Sequence, residues 1–140
     1  MRPREIFADT SGLAPFLVPA LAEHAQVVGI VRSHMKSGGS FVTTNYVLTE
    51  LLALMGSRTR LSRPQILRAI ESIHQSSRFE IVHITPELHQ SAFALLQARP
   101  DKNWSWVDAA SFAVMRGRGL TPALTTDHHF DQAGFERMIG

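Results

Sequence analysis

The chain of 140 residues contains no cysteine. That excludes disulfides, thiolate metal sites and a thiol nucleophile. Long apolar runs are missing too. No uncharged stretch approaches the ~18 residues of a membrane span. The basic start, Met1 to Glu5, has no apolar region behind it before Asp9 arrives, so it does not read as a secretory signal. A soluble, cytoplasmic protein is the expectation. Tyrosine occurs once, so little titrates between histidine and lysine, and a net charge of only +2 is enough to push the pI to 9.7. A nucleic-acid partner is therefore permitted by charge, not required by it. Internal repeats, low-complexity tracts and linkers are absent. With 44% hydrophobic and 19% charged residues, the composition is globular, and residues 1–140 are expected to form a single domain with a real core.

What is present alternates. Residues 4–8 read as a strand that ends in Asp-Thr-Ser-Gly. Residues 10–36 read as two helical pieces, with Pro15 and Pro19 arguing for a break near residue 18. The second piece runs from Ala20 to Met35, with Leu21, Ala25, Val28 and Val31 at helical spacing. Gly38-Gly39 ends it, and 40–43 reads as a second strand. A helix follows over about 45–56. Ser62 caps another, with Pro64 in its first turn, running to about 76. Residues 79–84 alternate as a strand does. A helix runs from 85 to about 98, and a loop spans 99–104. Ser105 caps a helix that Gly119 stops. Residues 122–126 read as a strand, and the rest as loop with a terminal strand near 135–139. Strands separated by helical segments imply a mainly parallel sheet covered by helices. In such sheets ligands collect at the carboxyl ends of the strands.

Four carboxylates stand out. Asp9 and Asp127 each end a strand-like run, which places both at one sheet edge. Glu50 lies on the shoulder of the apolar stripe formed by Val47, Leu48, Leu51, Leu54 and Met55. Asp108 opens a second apolar helix. Each has an ordinary explanation as well. Asp9 suits a helix N-cap, Glu50 a solvated helix position, and Asp127 a turn. Ser105 to Asp108 resembles a capping box. Their joint appearance carries more weight than any one of them. Brought together, they form an acidic pocket that a divalent cation neutralises, which points to phosphodiester cleavage. With these four set aside, 14 basic residues face 8 acidic ones (12 − 4 = 8), a surface suited to a polyanion.

The joint pattern resembles the PIN domain, and in particular the VapC-type ribonuclease toxins of bacterial toxin–antitoxin pairs. The resemblance rests on Phe7-Ala8-Asp9-Thr10-Ser11, on Thr44 to Glu50, on Trp104 to Phe112, on Leu124 to Phe130, and on the tail Asp131 to Phe135. It implies an α/β/α sandwich with a short, mainly parallel sheet. It also implies that Asp9, Glu50, Asp108 and Asp127 form the catalytic, metal-holding pocket, with Thr10 or Ser11, Asn45 and Ser105 as polar supports. Asp101 and Asp131 are spare acids nearby. The implied products carry 5′-phosphate and 3′-hydroxyl ends. A homodimer and a cognate antitoxin are the implied protein partners.

All-oxygen ligation suits Mg²⁺ or Mn²⁺ rather than Zn²⁺. Between Leu51 and Ile70 there is no acid, while Arg58, Arg60, Arg63 and Arg68 are all present. Their guanidinium forks match phosphate geometry, which makes this hairpin the candidate RNA-binding segment, with Arg116 and Arg118 in support. An ordinary solvated basic face is the plainer alternative. Trp104 and Trp106 can stack on unpaired bases, though core or interface packing is the commoner use. The seven histidines show no metal-binding spacing, so surface or structural roles are expected of them. A dehalogenase-like phosphatase needs a second Asp two residues after Asp9, where Ser11 stands. A response-regulator receiver needs an acidic pair and a late lysine that are absent. The expected function is thus a Mg²⁺/Mn²⁺-dependent endoribonuclease acting on RNA, the toxin of a toxin–antitoxin pair. The rival is a PIN-fold nucleic-acid-binding or assembly module without turnover.

Overall fold

The computed structural model describes residues 4–140. Its short apolar runs become the strands β1 (Glu5–Ala8), β2 (Ser40–Thr44), β3 (Phe79–Val82), β4 (Pro122–Leu124) and β5 (Glu136–Arg137). They form one sheet in the order β3-β2-β1-β4-β5, and every pairing is parallel. Parallel neighbours need crossovers, which α1 (Thr10–Leu17), α2 (His24–Lys36), α3 (Asn45–Arg58), α4 (Arg63–Gln75), α5 (Pro86–Ala98), α6 (Trp106–Arg118) and α7 (His128–Gln132) supply. From β1 the chain steps outward to β2 and β3, then returns to the other side of β1 for β4 and β5. Because such crossovers share one hand, this reversal sends helices to both faces and gives the α/β/α sandwich. It also opens a crevice at the carboxyl ends of β1 and β4.

The core explains why the elements hold. Phe7, Phe41, Phe112 and Phe130 are fully buried, with Leu13, Leu51, Met55 and Leu124 between them. Phe41 stacks on Phe79 at 4.9 Å, and Phe112 meets Phe130 edge-on at 5.0 Å. α1 packs on α2 and α3, and α5 on α6. Ala92, Ala109 and Ala110 are buried at the α5–α6 crossing, where small side chains let two helices approach closely. One glycine is required by space. A Cβ at Gly12 would lie 2.1 Å from the Leu124 carbonyl oxygen, so only glycine lets the first turn of α1 sit against β4.

The capping signals are realised. Ser62 and Ser105 each complete a capping box, with Gln65 and Asp108 respectively, and Gly119 ends α6 at φ +66°. Other boundaries differ from expectation. α2 starts at His24, not Ala20, and buries Val27 and Val31 while Ala25 is exposed and Val28 half-buried, so its inward face is rotated from the one the spacing suggested. α3 runs on to Arg58. β3 stops at Val82, because the Ile84 N–H is taken by the Asn45 side chain. β4 stops at Leu124, because the Thr125 hydroxyl turns to Asp9 and the Asp127 N–H. The segment after Asp127 is not mostly loop: α7 occupies 128–132, started by the Asp127 carboxylate accepting the His129 N–H.

Candidate active site

Asp9 follows β1 and Asp127 lies three residues beyond β4, so the crevice at the strand ends receives both. Asp9 stands at the N-cap position of α1, yet its carboxylate makes no capping bond. Instead it accepts hydrogen bonds from the hydroxyls of Ser11 (3.1 Å) and Thr125 (3.0 Å). Thr125 Oγ1 also accepts from the Asp127 N–H at 3.0 Å, and Ser11 Oγ accepts from the Thr126 N–H at 2.9 Å. Two hydroxyls thus tie the end of β1 to the turn after β4. Thr10, the next residue, donates to Glu50 Oε1 at 2.6 Å, which brings the second turn of α3 to the same place.

Asp108 arrives from a third direction. Its N–H is capped by Ser105 at 3.0 Å and its Oδ2 accepts from the Ser105 N–H at 3.0 Å, so the expected capping box forms and fixes the carboxylate at the N-terminus of α6. The same Oδ2 lies 2.8 Å from His129 Nδ1, and Asp127 Oδ1 lies 3.5 Å from that nitrogen. Ligand atoms of Asp108, Asp127 and His129 all fall within 4.8 Å of one another. The tightest convergence therefore contains two of the four expected acids and a histidine for which only a surface or structural role was expected. α7 is what swings His129 back, and the signal for it was an Asp N-cap three residues before the apolar Phe130.

Among the described residues, no lysine or arginine pairs with Asp9, Glu50, Asp108 or Asp127. Asp9 is buried, and burial pushes its carboxyl up to about 7; the Thr125 hydroxyl works against this, while the nearby charges of Asp108 and Glu50 add to it. A cation placed among these acids would favour their charged forms. The donors suit a divalent ion: carboxylate oxygens with one imidazole nitrogen.

The other expected residues divide. Ser11 and Ser105 bond directly to Asp9 and Asp108. Asn45 accepts the Ile84 N–H at 2.8 Å and so anchors the loop before α5. Arg58, Arg60, Arg63 and Arg68 are exposed, and Arg58 and Arg60 line a groove with Val18, Leu21 and Leu61. Arg58 is eight residues beyond Glu50, about 12 Å along α3. Arg116 and Arg118, expected in support, differ. They sit at the far end of α6 from Asp108, where Arg118 pairs with Glu5 and Glu80 and Arg116 lies over Phe135. Arg118 is thus engaged by carboxylates outside the site, while Arg116 stays exposed.

The sequence profile described as "PIN domain" matches residues 6–136. The chain belongs to the PIN-domain family. It is 35% identical over 94 residues to the "23S rRNA-specific endonuclease VapC20" of Mycobacterium tuberculosis, in strains CDC 1551 / Oshkosh and ATCC 25618 / H37Rv, covering 67% of this chain and 70% of that protein. The crystal structure of Mycobacterium tuberculosis VapC20, described as a Sarcin-Ricin loop cleaving toxin, superposes with a TM-score of 0.80 and 28% identity, over 96% of this chain and 99% of that one. In this PIN domain the four acids named from sequence lie just after β1, on α3, on α6 and in the turn after β4, around the crevice just described.

Proposed function

We infer that the protein is an endoribonuclease of the VapC type and that Asp9, Glu50, Asp108 and Asp127, joined by His129, hold Mg²⁺ or Mn²⁺ for it. The observation that carries this is the buried Asp9 carboxyl set beside Asp108 and Glu50, with no lysine or arginine among the described residues paired to any of the four acids. When bound, a divalent cation supplies the positive charge that activates water and offsets charge on a scissile phosphate. The chain's own groups do the positioning. Ser11 and Thr125 hold Asp9 in place, the Ser105 box holds Asp108, and Thr10 holds Glu50. No side chain is required as nucleophile. Arg58, Arg60, Arg63 and Arg68 supply phosphate contacts one helix length from the chemistry.

The names of the relatives support a finer reading. Ribosomal RNA, and within it the sarcin–ricin loop, is the proposed target. A cognate antitoxin and a homodimeric state are proposed with it, as is a cytoplasmic location; among the described residues no helix is long and apolar enough to cross a membrane. The test is cleavage of purified ribosomes and of total RNA with Mg²⁺, Mn²⁺ or EDTA, with Asp9→Asn protein prepared identically. Discrete metal-dependent fragments from wild type alone are expected. Equal products from both proteins would sink the assignment.

A further inference from the structure

The two tryptophans have opposite environments. Trp104 is 7% exposed, edge-on to Phe112 at 5.1 Å, with its Nε1–H donating to Gln132 at 2.9 Å; it belongs to the core. Trp106, two residues later, is 38% exposed and adds little to the core. It is nonetheless held firmly. The His89 ring stacks on it at 4.4 Å and 18°, Phe93 lies 5.1 Å away, and its Nε1–H donates to the His89 carbonyl at 3.3 Å. His89 is fixed in turn by a hydrogen bond between its Nδ1 and the Tyr46 hydroxyl. Tyr46 sits in the first turn of α3 and Trp106 opens α6, so this ledge is built on the two helices that carry Glu50 and Asp108. Trp106 precedes Asp108 by two residues, about 3 Å of rise, and Tyr46, which fixes His89, lies one turn before Glu50 on the same side of α3.

We propose that the Trp106–His89–Phe93 ledge is a base-stacking subsite that receives an unpaired base of the RNA strand next to the scissile phosphate. The proposal rests on the endoribonuclease reading. Its size favours this occupant. Phe93 at 43% and Trp106 at 38% exposure leave an aromatic surface of roughly 120–200 Å², taking about 150–250 Å² for each whole side chain. A stable dimer interface needs about 800 Å² per partner, whereas one or two bases need no more than the ledge offers. Charge is not what this surface supplies. α5 carries no lysine or arginine and one acid, Glu87, so it is not built to grip phosphate. Stacking needs none, because every base has an aromatic face. The division of labour is then base on the ledge and phosphate at the acidic crevice. A rigid aromatic platform favours single-stranded over fully paired RNA, since bases inside a duplex offer no free face.

The experiment uses full-length Asp9→Asn protein with Mg²⁺, a short single-stranded RNA of mixed sequence, and the same RNA as a blunt duplex. Binding is read by tryptophan fluorescence and by anisotropy of labelled RNA. Stacking on Trp106 is expected to quench its emission with the single strand and much less with the duplex. Trp106→Phe should keep affinity within about 3-fold and abolish the quenching, because the remaining Trp104 is buried. Trp106→Ala should weaken single-strand binding roughly 5- to 100-fold. Circular dichroism checks that both variants fold. Unchanged quenching in Trp106→Phe, or unchanged affinity in Trp106→Ala, overturns the ledge. So does a Trp106→Ala protein that sediments as a smaller species than its parent, which would assign the face to a second copy of the chain. The enzymatic reading fails separately, by the absence of metal-dependent cleavage in protein with Asp9 intact.

Discussion

Asp9 is the residue on which the chemistry and the stability of this protein meet. Burial raises its carboxyl to about 7 in the metal-free protein. Its ordinary value is near 3.8, so between those values the folded state keeps a proton that the unfolded state has released. Stability from this group is therefore complete below pH ~4 and is lost as pH rises through about 7. An amide of the same shape escapes that loss. Asp9→Asn is expected to make the metal-free protein more stable than wild type at pH 8, by roughly 1–4 kcal/mol, and to change little at pH 4. Denaturant melts at both pH values check this; an Asn variant that gains nothing at pH 8 contradicts the buried-acid account. The nearby residue Gly12 is constrained by space rather than charge. Its missing Cβ admits the Leu124 carbonyl, a backbone atom that cannot step aside. Gly12→Ala should cost about 1–3 kcal/mol, and should depress cleavage further by parting Ser11 from Thr125. A wild-type denaturation midpoint in this variant would refute the close approach.

At the scale of elements, one helix uses its two ends for different tasks. α6 presents Asp108 at its N-terminus, where the helix dipole favours a carboxylate, and Arg118 at its C-terminus, where that residue ties Glu5 to Glu80 across the sheet. The α3–α4 hairpin carries four exposed arginines with no ion pair among the described residues, free to meet a polyanion. Replacing Arg58 and Arg60 by Gln should flatten the dependence of log affinity on log salt, by about 0.7 for each phosphate of single-stranded RNA that the protein then leaves unneutralised. Arg118→Ala should leave both the slope and cleavage unchanged, since an exposed ion pair is worth at most about 1 kcal/mol to the fold. Anisotropy titrations across a salt series separate the two; an unaltered slope in the double variant removes the hairpin from the RNA interface.

Over the whole molecule, metal binding, protonation and folding are linked. A cation entering the crevice must displace the Asp9 proton, so its affinity rises with pH. Mg²⁺ or Mn²⁺ is expected to raise the melting temperature, more at pH 8 than at pH 6, and EDTA to reverse it. A shift of the same size in Asp9→Asn protein would place the ion elsewhere.

The order of elements up to β4, the parallel α/β class and the strand-end positions of Asp9 and Asp127 were legible from local chemistry alone, because apolar period, capping residues and glycine stops act over a few neighbouring residues. Asp108 was legible for the same reason: its capping box is local, and it aims the carboxylate. What the chain order could not show was anything that depends on segments far apart in sequence. The inward face of α2 turned on how that helix meets the sheet. β4 ended early because Thr125 bonds to Asp9, 116 residues away. His129 joined Asp108 only because a five-residue helix folds back over the crevice. Arg118 looked available as a charge until the fold paired it with Glu5 and Glu80. Trp104 and Trp106 were indistinguishable as letters; one helical start separated a core ring from a surface ledge. Sequence determined which groups the protein brings to the reaction. Tertiary packing decided which of them meet, because electrostatics, hydrogen bonds and steric contact depend on distance in space.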